Sequence, residues 1–221
     1  GLFFQHYFTQ DDLPEGIPDI LGHSTLNRLR FYKVSEKHAI FVKDLTLHLF
    51  DAWSQLHQLD ARDRALLQCA ARLHDIGICI NYYDHSRHSA YLVENARLFG
   101  LTHREQMVAA VVAGWHGGIS AKLQRNKLYS EFLDEADWMK ARKMAALLII
   151  ADSLDASQRQ LIQNPVASVL NDKAVLSFSA SGDCSLEMQA VEKYAKILQR
   201  ELGAKLQIDL KQDPVVKSSA P

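Results

Sequence analysis

An unbroken apolar run, Ala145 to Ala151, ends directly in Asp152. A helix that is apolar on every side belongs inside a packed protein, and this run is too short to cross a bilayer, which takes roughly 18–20 such residues. A carboxylate at its end is costly to bury unless it is paired or bound to a cation. Two partners fit from sequence: a basic neighbour, Arg142 or Lys143, or a metal ion. A second apolar stretch, Ala65 to Leu73, gives way to His74-Asp75-Ile76-Gly77, so an imidazole and a carboxylate sit side by side at another helix end. His38 lies upstream, and His88 and His116 downstream. Nitrogen and carboxylate donors of this kind suit Mg²⁺ or a divalent first-row ion: Mn, Fe, Zn or Co.

The periodicity around these residues predicts helices. Ser24 to Tyr32 forms a short one. Ser35 caps a long one to about His57, with Phe41, Val42, Leu45, Leu49, Trp53 and Leu56 at helical spacing and His38 on its first turn. Asp60 caps the next, which ends near Asp75 ahead of Gly77. A polar loop, Asn81 to Ser86, precedes a helix over Arg87 to Leu98. Thr102-His103-Arg104-Glu105 is a capping box opening a helix that closes at Trp115-His116-Gly117-Gly118. A last long helix is expected from about Asp137 to Leu161. Past Pro165 the period changes, and Val166–Leu170, Ala174–Ala180, Leu186–Leu202 and Leu206–Leu210 read as strand, strand, helix, strand. The expected fold is mainly α: a helical metal-binding domain over 24–164 and a small α+β (ββαβ) subdomain over 165–211. A lead-in occupies 1–23 and a disordered tail 212–221.

Net charge is −1, which advertises no nucleic-acid partner. An anionic substrate would be held locally. Three widely spaced cysteines, Cys69, Cys79 and Cys184, argue against a disulfide framework and for a reducing, cytoplasmic setting. No membrane partner is expected. Exposed apolar faces of the appendage would support a homodimer. The chain begins Gly1-Leu2-Phe3-Phe4 rather than with methionine, so an excised piece of a longer protein is one expectation.

His38…His74-Asp75…Asp152 resembles the signature of HD-type metal-dependent phosphohydrolases. Arg87-His88-Ser89-Ala90-Tyr91-Leu92, Trp115-His116, Ala151-Asp152-Ser153-Leu154-Asp155, Leu49-Phe50-Asp51 and the small α+β tail are similar to the C-terminal region of the exopolyphosphatase / guanosine pentaphosphate phosphohydrolase family. The resemblance implies an HD-type helical bundle in which His38, His74, Asp75 and Asp152 hold one divalent ion and His88 and His116 a second. It implies a phosphohydrolase cleaving a phosphate ester or phosphoanhydride of a nucleotide, a (p)ppGpp-like compound or polyphosphate. Asp75 would bridge the ions or orient the water, and a cation, Arg87, Lys122 or Lys143 in that order, would balance charge on the phosphoryl oxygens. The family's phosphatase site is expected in an N-terminal actin-like region, and this sequence carries no glycine-rich phosphate loop. The alternative is therefore a non-catalytic regulatory, dimerisation or polyphosphate-binding module. His6, His23, His48, His57, His85 and His103 are expected to be ordinary histidines, and Lys122, Arg125 and Lys127 a solvated basic loop, with phosphate contact the rival reading.

Overall fold

Most of the long helices begin where a side chain catches the free amides of the first turn. The computed structural model describes residues 19–211; residues 1–18 of the expected lead-in over 1–23 and the expected tail over 212–221 lie outside the described residues, and the rest of that lead-in is already helical, from Ile20 rather than Ser24. Helix α1 (Ile20–Tyr32) starts at Asp19, whose carboxylate accepts from Gly22 N. Ser35 caps α2 (Glu36–Ala52) through the His38 amide. A one-turn α3 (Ser54–His57) follows. Reciprocal capping boxes open α4 (Ala61–Leu73, Asp60 with Asp63), α6 (His103–Gly114, Thr102 with Glu105) and α9 (Glu135–Ser153, Asp134 with Asp137). Each such cap is worth about 1 kcal/mol. Between α4 and α6 lie a 3-10 turn (Ile76–Cys79) and α5 (His85–Glu94); short α7 (Ala121–Gln124) and α8 (Lys127–Phe132) lead into α9.

Helix α9 is the axis of the body. It packs against α2, α4 and α6, and Leu147, Leu148 and Ile150 are fully buried in it. Each such side chain contributes about 1.5–3 kcal/mol by leaving water. Cys69 is buried in the same core, and burial pushes its thiol up to about 12.

The chain then forms β1 (Ile162–Leu170), β2 (Lys173–Ala180), α10 (Ser185–Leu202) and β3 (Lys205–Lys211). Strand β2 is central, antiparallel to β1 and parallel to β3, so the parallel pair is joined through α10. Leu176 and Phe178, two residues apart on β2 and so on one face, are both fully buried. The sheet is held to the helical body: Trp53 Nε1 donates to Ser168 O at 3.0 Å. Helix α10 packs on α9 and β3. Among the described residues no helix is long and apolar enough to cross a membrane.

Several expected boundaries move. The long first helix breaks at Trp53, the last ends at Ser153 rather than Leu161, and α5 starts at His85, two residues earlier than expected. Strand β1 runs through Pro165, because the register shifts between Gln163 and Val166 on an edge strand, where a proline withholds no needed amide.

Candidate metal centre

Helix ends converge on one point. His38 comes from the first turn of α2, His74 follows the last residue of α4, and Asp75 precedes the 3-10 turn. His85 opens α5, His116 sits just past α6, and Asp152 is the penultimate residue of α9. The crossing that brings α5 close depends on Gly77. A Cβ there would stand 2.1 Å from His85 O and 2.4 Å from Ser89 N, and the Gly77 amide donates to Ser89 Oγ at 2.8 Å.

Each of four imidazoles is oriented through its Nδ1. His74 Nδ1 lies 2.8 Å from Ala71 O, His116 Nδ1 2.6 Å from Ala113 O and His85 Nδ1 2.9 Å from Tyr82 O. A carbonyl only accepts, so those three Nδ1 atoms carry the proton. His38 Nδ1 lies 2.8 Å from Asp155 Oδ2, a fully buried carboxylate whose other oxygen accepts from Gln160 N at 2.7 Å. All four Nε2 atoms therefore turn inward, and they meet in pairs: His38 and His74 at 3.3 Å, His85 and His116 at 2.9 Å. Two neutral imidazoles cannot face lone pair to lone pair at that range without a proton or a cation between or beside them.

Two carboxylates supply the negative charge. Asp152 Oδ1 lies 3.3 Å from His38 Nε2 and 3.4 Å from His74 Nε2. Asp75 reaches both pairs, with Oδ2 3.5 Å from His38 Nε2 and Oδ1 3.3 and 3.5 Å from His85 and His116 Nε2. The ligand atoms fall into two groups, His38–His74–Asp152 and Asp75–His85–His116, each within 4.8 Å. These donor sets fit divalent ions, and orientation of each ring by a carbonyl or carboxylate is the outer support that metal-ligating histidines normally have.

The carboxylates and ring nitrogens shift one another's titration. Burial works against charge on His38, but hydrogen bonds to Asp152 and Asp155 raise it to about 10. His74 is also buried, and the Asp75 charge and the Asp152 contact raise it. The Asp75 hydrogen bond raises His85. Burial and the neighbouring His74 hold His116 down to about 4. Both carboxyls are depressed despite burial: Asp75 by the His74 charge and the His85 contact, and Asp152 by its contacts with His38 and His74. The two carboxylates thus favour positive charge on the ring nitrogens of His38, His74 and His85.

The structure brings together His38, His74, Asp75, His116 and Asp152 as expected. His88 is not among them: it is half-buried and makes no side-chain hydrogen bond or ion pair with a described residue, while His85, one turn earlier, takes the place expected of it. The two histidines lie near one face of α5, so the helix start and the Gly77 crossing decide which reaches inward. His57, by contrast, is an ordinary core histidine, accepting from Leu59 N and bonded to Phe50 O. The salt-bridge reading of Asp152 does not hold: Arg142 pairs with Glu135 and Glu201, and Lys143 Nζ donates to His57 O at 2.8 Å.

A cavity of about 280 Å³ opens onto the ligands, lined by His38, Asp75, His85 and Asp152 on one side and by Lys193 and Tyr194 of α10 on the other, with Tyr82 at its edge. The expected cations Arg87, Lys122 and Lys143 are not in its lining; Lys193 is. Sequence reasoning missed Lys193 because it sits on the exposed side of an amphipathic helix in the appendage. Tyr194 Oη donates to Gly117 O at 3.1 Å, fastening that helix to the turn that carries His116.

The description "Ppx/GppA phosphatase, domain III" matches this chain over residues 22–193. The chain is also similar to proteins named guanosine-5'-triphosphate,3'-diphosphate pyrophosphatase. The protein of Aeromonas hydrophila is 30% identical over 95 residues, 42% of this chain and 18% of that protein. That of Pseudoalteromonas translucida is 34% identical over 86 residues, 38% of this chain and 17% of the relative. The matches thus span less than a fifth of these relatives' length. By the extent of the family match, the chain belongs to the Ppx/GppA phosphatase domain III family.

Proposed function

We propose that the chain is an HD-type metal-dependent phosphohydrolase acting on a phosphate ester or phosphoanhydride, with a nucleotide, a (p)ppGpp-like compound or polyphosphate as substrate. The observation that carries this reading is the inward pairing of ring nitrogens at 3.3 and 2.9 Å beside two carboxylates, Asp75 buried and Asp152 partly buried. His38, His74 and Asp152 would hold one ion and His85 and His116 a second, with Asp75 offering an oxygen to each group. A divalent ion bound there supplies Lewis acidity and a bound water of lowered pKa. The chain's own side chains bind, orient and screen. Asp155 and the carbonyls of Ala71, Tyr82 and Ala113 hold the rings in the ligating tautomer. Lys193, which lines the same cavity with its ammonium over the Tyr194 ring, would balance the charge that builds on phosphoryl oxygens. The relatives' printed names support a phosphorylated nucleotide as substrate, and a cytoplasmic setting fits the free cysteines.

A non-catalytic polyphosphate-binding or dimerisation module is the second reading, favoured by the small share of the relatives that the match covers. Metal analysis of protein grown in metal-replete medium is expected to find one to two divalent ions per chain, lost in His74→Ala/Asp75→Ala. A panel of polyphosphate, guanosine tetra- and pentaphosphate and simple phosphate esters with Mn²⁺, Mg²⁺ and Fe²⁺ separates the readings. Turnover no greater than that of Asp152→Ala removes the enzyme.

A further inference from the structure

A second cavity, of about 550 Å³, shares a wall with the metal centre: Ser86, which follows His85, and Gly117, which follows His116, both line it. Three cations, Arg87, Lys122 and Arg125, converge on it against one carboxylate, Asp84. None of the three makes an ion pair or a side-chain hydrogen bond with a described residue. Most other arginines of the helical body are satisfied, as in Arg30–Glu36, Arg62–Glu105 and Arg64–Asp51. Like charges gathered in a recess repel one another and create a positive potential that an anion relieves.

The neutral groups of the recess are also donors. Ser86 and Ser120 contribute hydroxyls, and Asn126, whose Oδ1 accepts from Leu128 N, keeps its amide hydrogens free to donate. Asp84 leaves the first turn of α5 without a side-chain cap. The floor is bare backbone at Gly114, Gly117 and Gly118. A Cβ on Gly114 would stand 2.8 Å from Ala90 Cβ and 2.9 Å from Leu123 Cδ1, so the close packing under the recess needs glycine there.

We propose that this cavity is a phosphate-binding site, distinct from the ligand cluster, that takes a di- or triphosphate group. Its volume exceeds what one orthophosphate fills, and its cations reach it from two parts of the chain, Arg87 from α5 and Lys122 and Arg125 from α7 and its C-cap, so that an extended polyanion meets charge on both sides. The bound group has two sources: the distal phosphates of a substrate whose reacting phosphate lies at the metal centre, which rests on the proposed function, or a free phosphate chain acting alone.

The test is calorimetric titration of inorganic pyrophosphate and tripolyphosphate into metal-free protein in EDTA at low salt, which holds whether or not the centre binds metal. The parent is expected to bind with an affinity that falls as salt rises, and Arg87→Gln/Arg125→Gln to weaken it at least tenfold. Since both residues are exposed, circular dichroism and the unfolding midpoint should stay unchanged, and metal loading should match the parent's. Absence of binding by the parent, or equal binding by the double variant, overturns the site. In Mn²⁺-loaded protein, ³¹P relaxation assigns the source. Strong broadening of tripolyphosphate that the double variant reduces marks a ligand spanning both cavities, whereas weak broadening marks a free chain.

Discussion

The substitution that separates the geometry from its sequence-level expectation is His85→Ala set against His88→Ala. His85 Nε2 lies 2.9 Å from His116 Nε2 and 3.3 Å from Asp75 Oδ1, whereas His88 touches neither ligand group. Loss of an outer-sphere support already costs metal sites about 10–100-fold in affinity, so loss of the ligand itself is expected to cost at least about 100-fold. With Mn²⁺ at about 100 times the parent's Kd, binding stabilises the parent by about 2.7 kcal/mol. A 100-fold weaker site leaves about 0.4 kcal/mol, a difference of about 2.3 kcal/mol. For a chain of this size that is about 5–9 °C of unfolding midpoint. The assay is the midpoint with Mn²⁺ minus the midpoint in EDTA, which cancels any effect of the substitution on the metal-free fold. His85→Ala should lose most of the shift belonging to the second ion, and isothermal titration should show about one site fewer. His88→Ala should keep both. Equal shifts in the two variants, or loss confined to His88→Ala, refute the reasoning.

Gly77→Ala places a methyl 2.1 Å from His85 O and 2.4 Å from Ser89 N, and neither backbone atom can yield without moving α5; a thermal melt should show a loss of about 1–3 kcal/mol or more, with weaker binding at the second metal group. Lys193→Gln should leave metal loading intact and weaken binding of inorganic phosphate to the metal-loaded protein about tenfold, the share of one charge-assisted hydrogen bond; unchanged phosphate affinity places the clamp elsewhere. Glu105, held down to about 2 by Arg62, against burial, and by Thr102, contributes stability that is fully present above its ordinary value of 4.5 and is lost as pH falls through about 2. Glu105→Gln should accordingly cost about 1–2 kcal/mol at pH 7, discounted for partial solvent screening, and flatten the acid limb of a stability profile.

What the sequence disclosed was local. Ser35, Asp60 and Thr102–Glu105 announce their helices because the cap and the amides it satisfies are neighbours in the chain. His38, His74 and Asp152 could be grouped because donor residues at the ends of apolar helices have few other uses. His85 was hidden, since a shift of two residues in a helix start changes which of two histidines faces inward. Lys193 was hidden more deeply, because what places it is the docking of α10, set by Tyr194 on Gly117 and by contacts with α9. The end of α9 at Ser153 was equally illegible: Asp155, which would have continued the helix, binds His38 from one oxygen and Gln160 N from the other.

That docking has a bearing on how the protein can be cut and recombined. The helical body looks like a portable cassette, complete with its own histidines and aspartates, and a chain severed before Pro165 would still carry every one of them. It would, however, leave its pocket without the side that Lys193 lines and without the Tyr194 phenol that bonds to the turn beside His116. Grafts and truncations should therefore treat the terminal ββαβ unit as one wall of the vessel around the histidine and aspartate cluster.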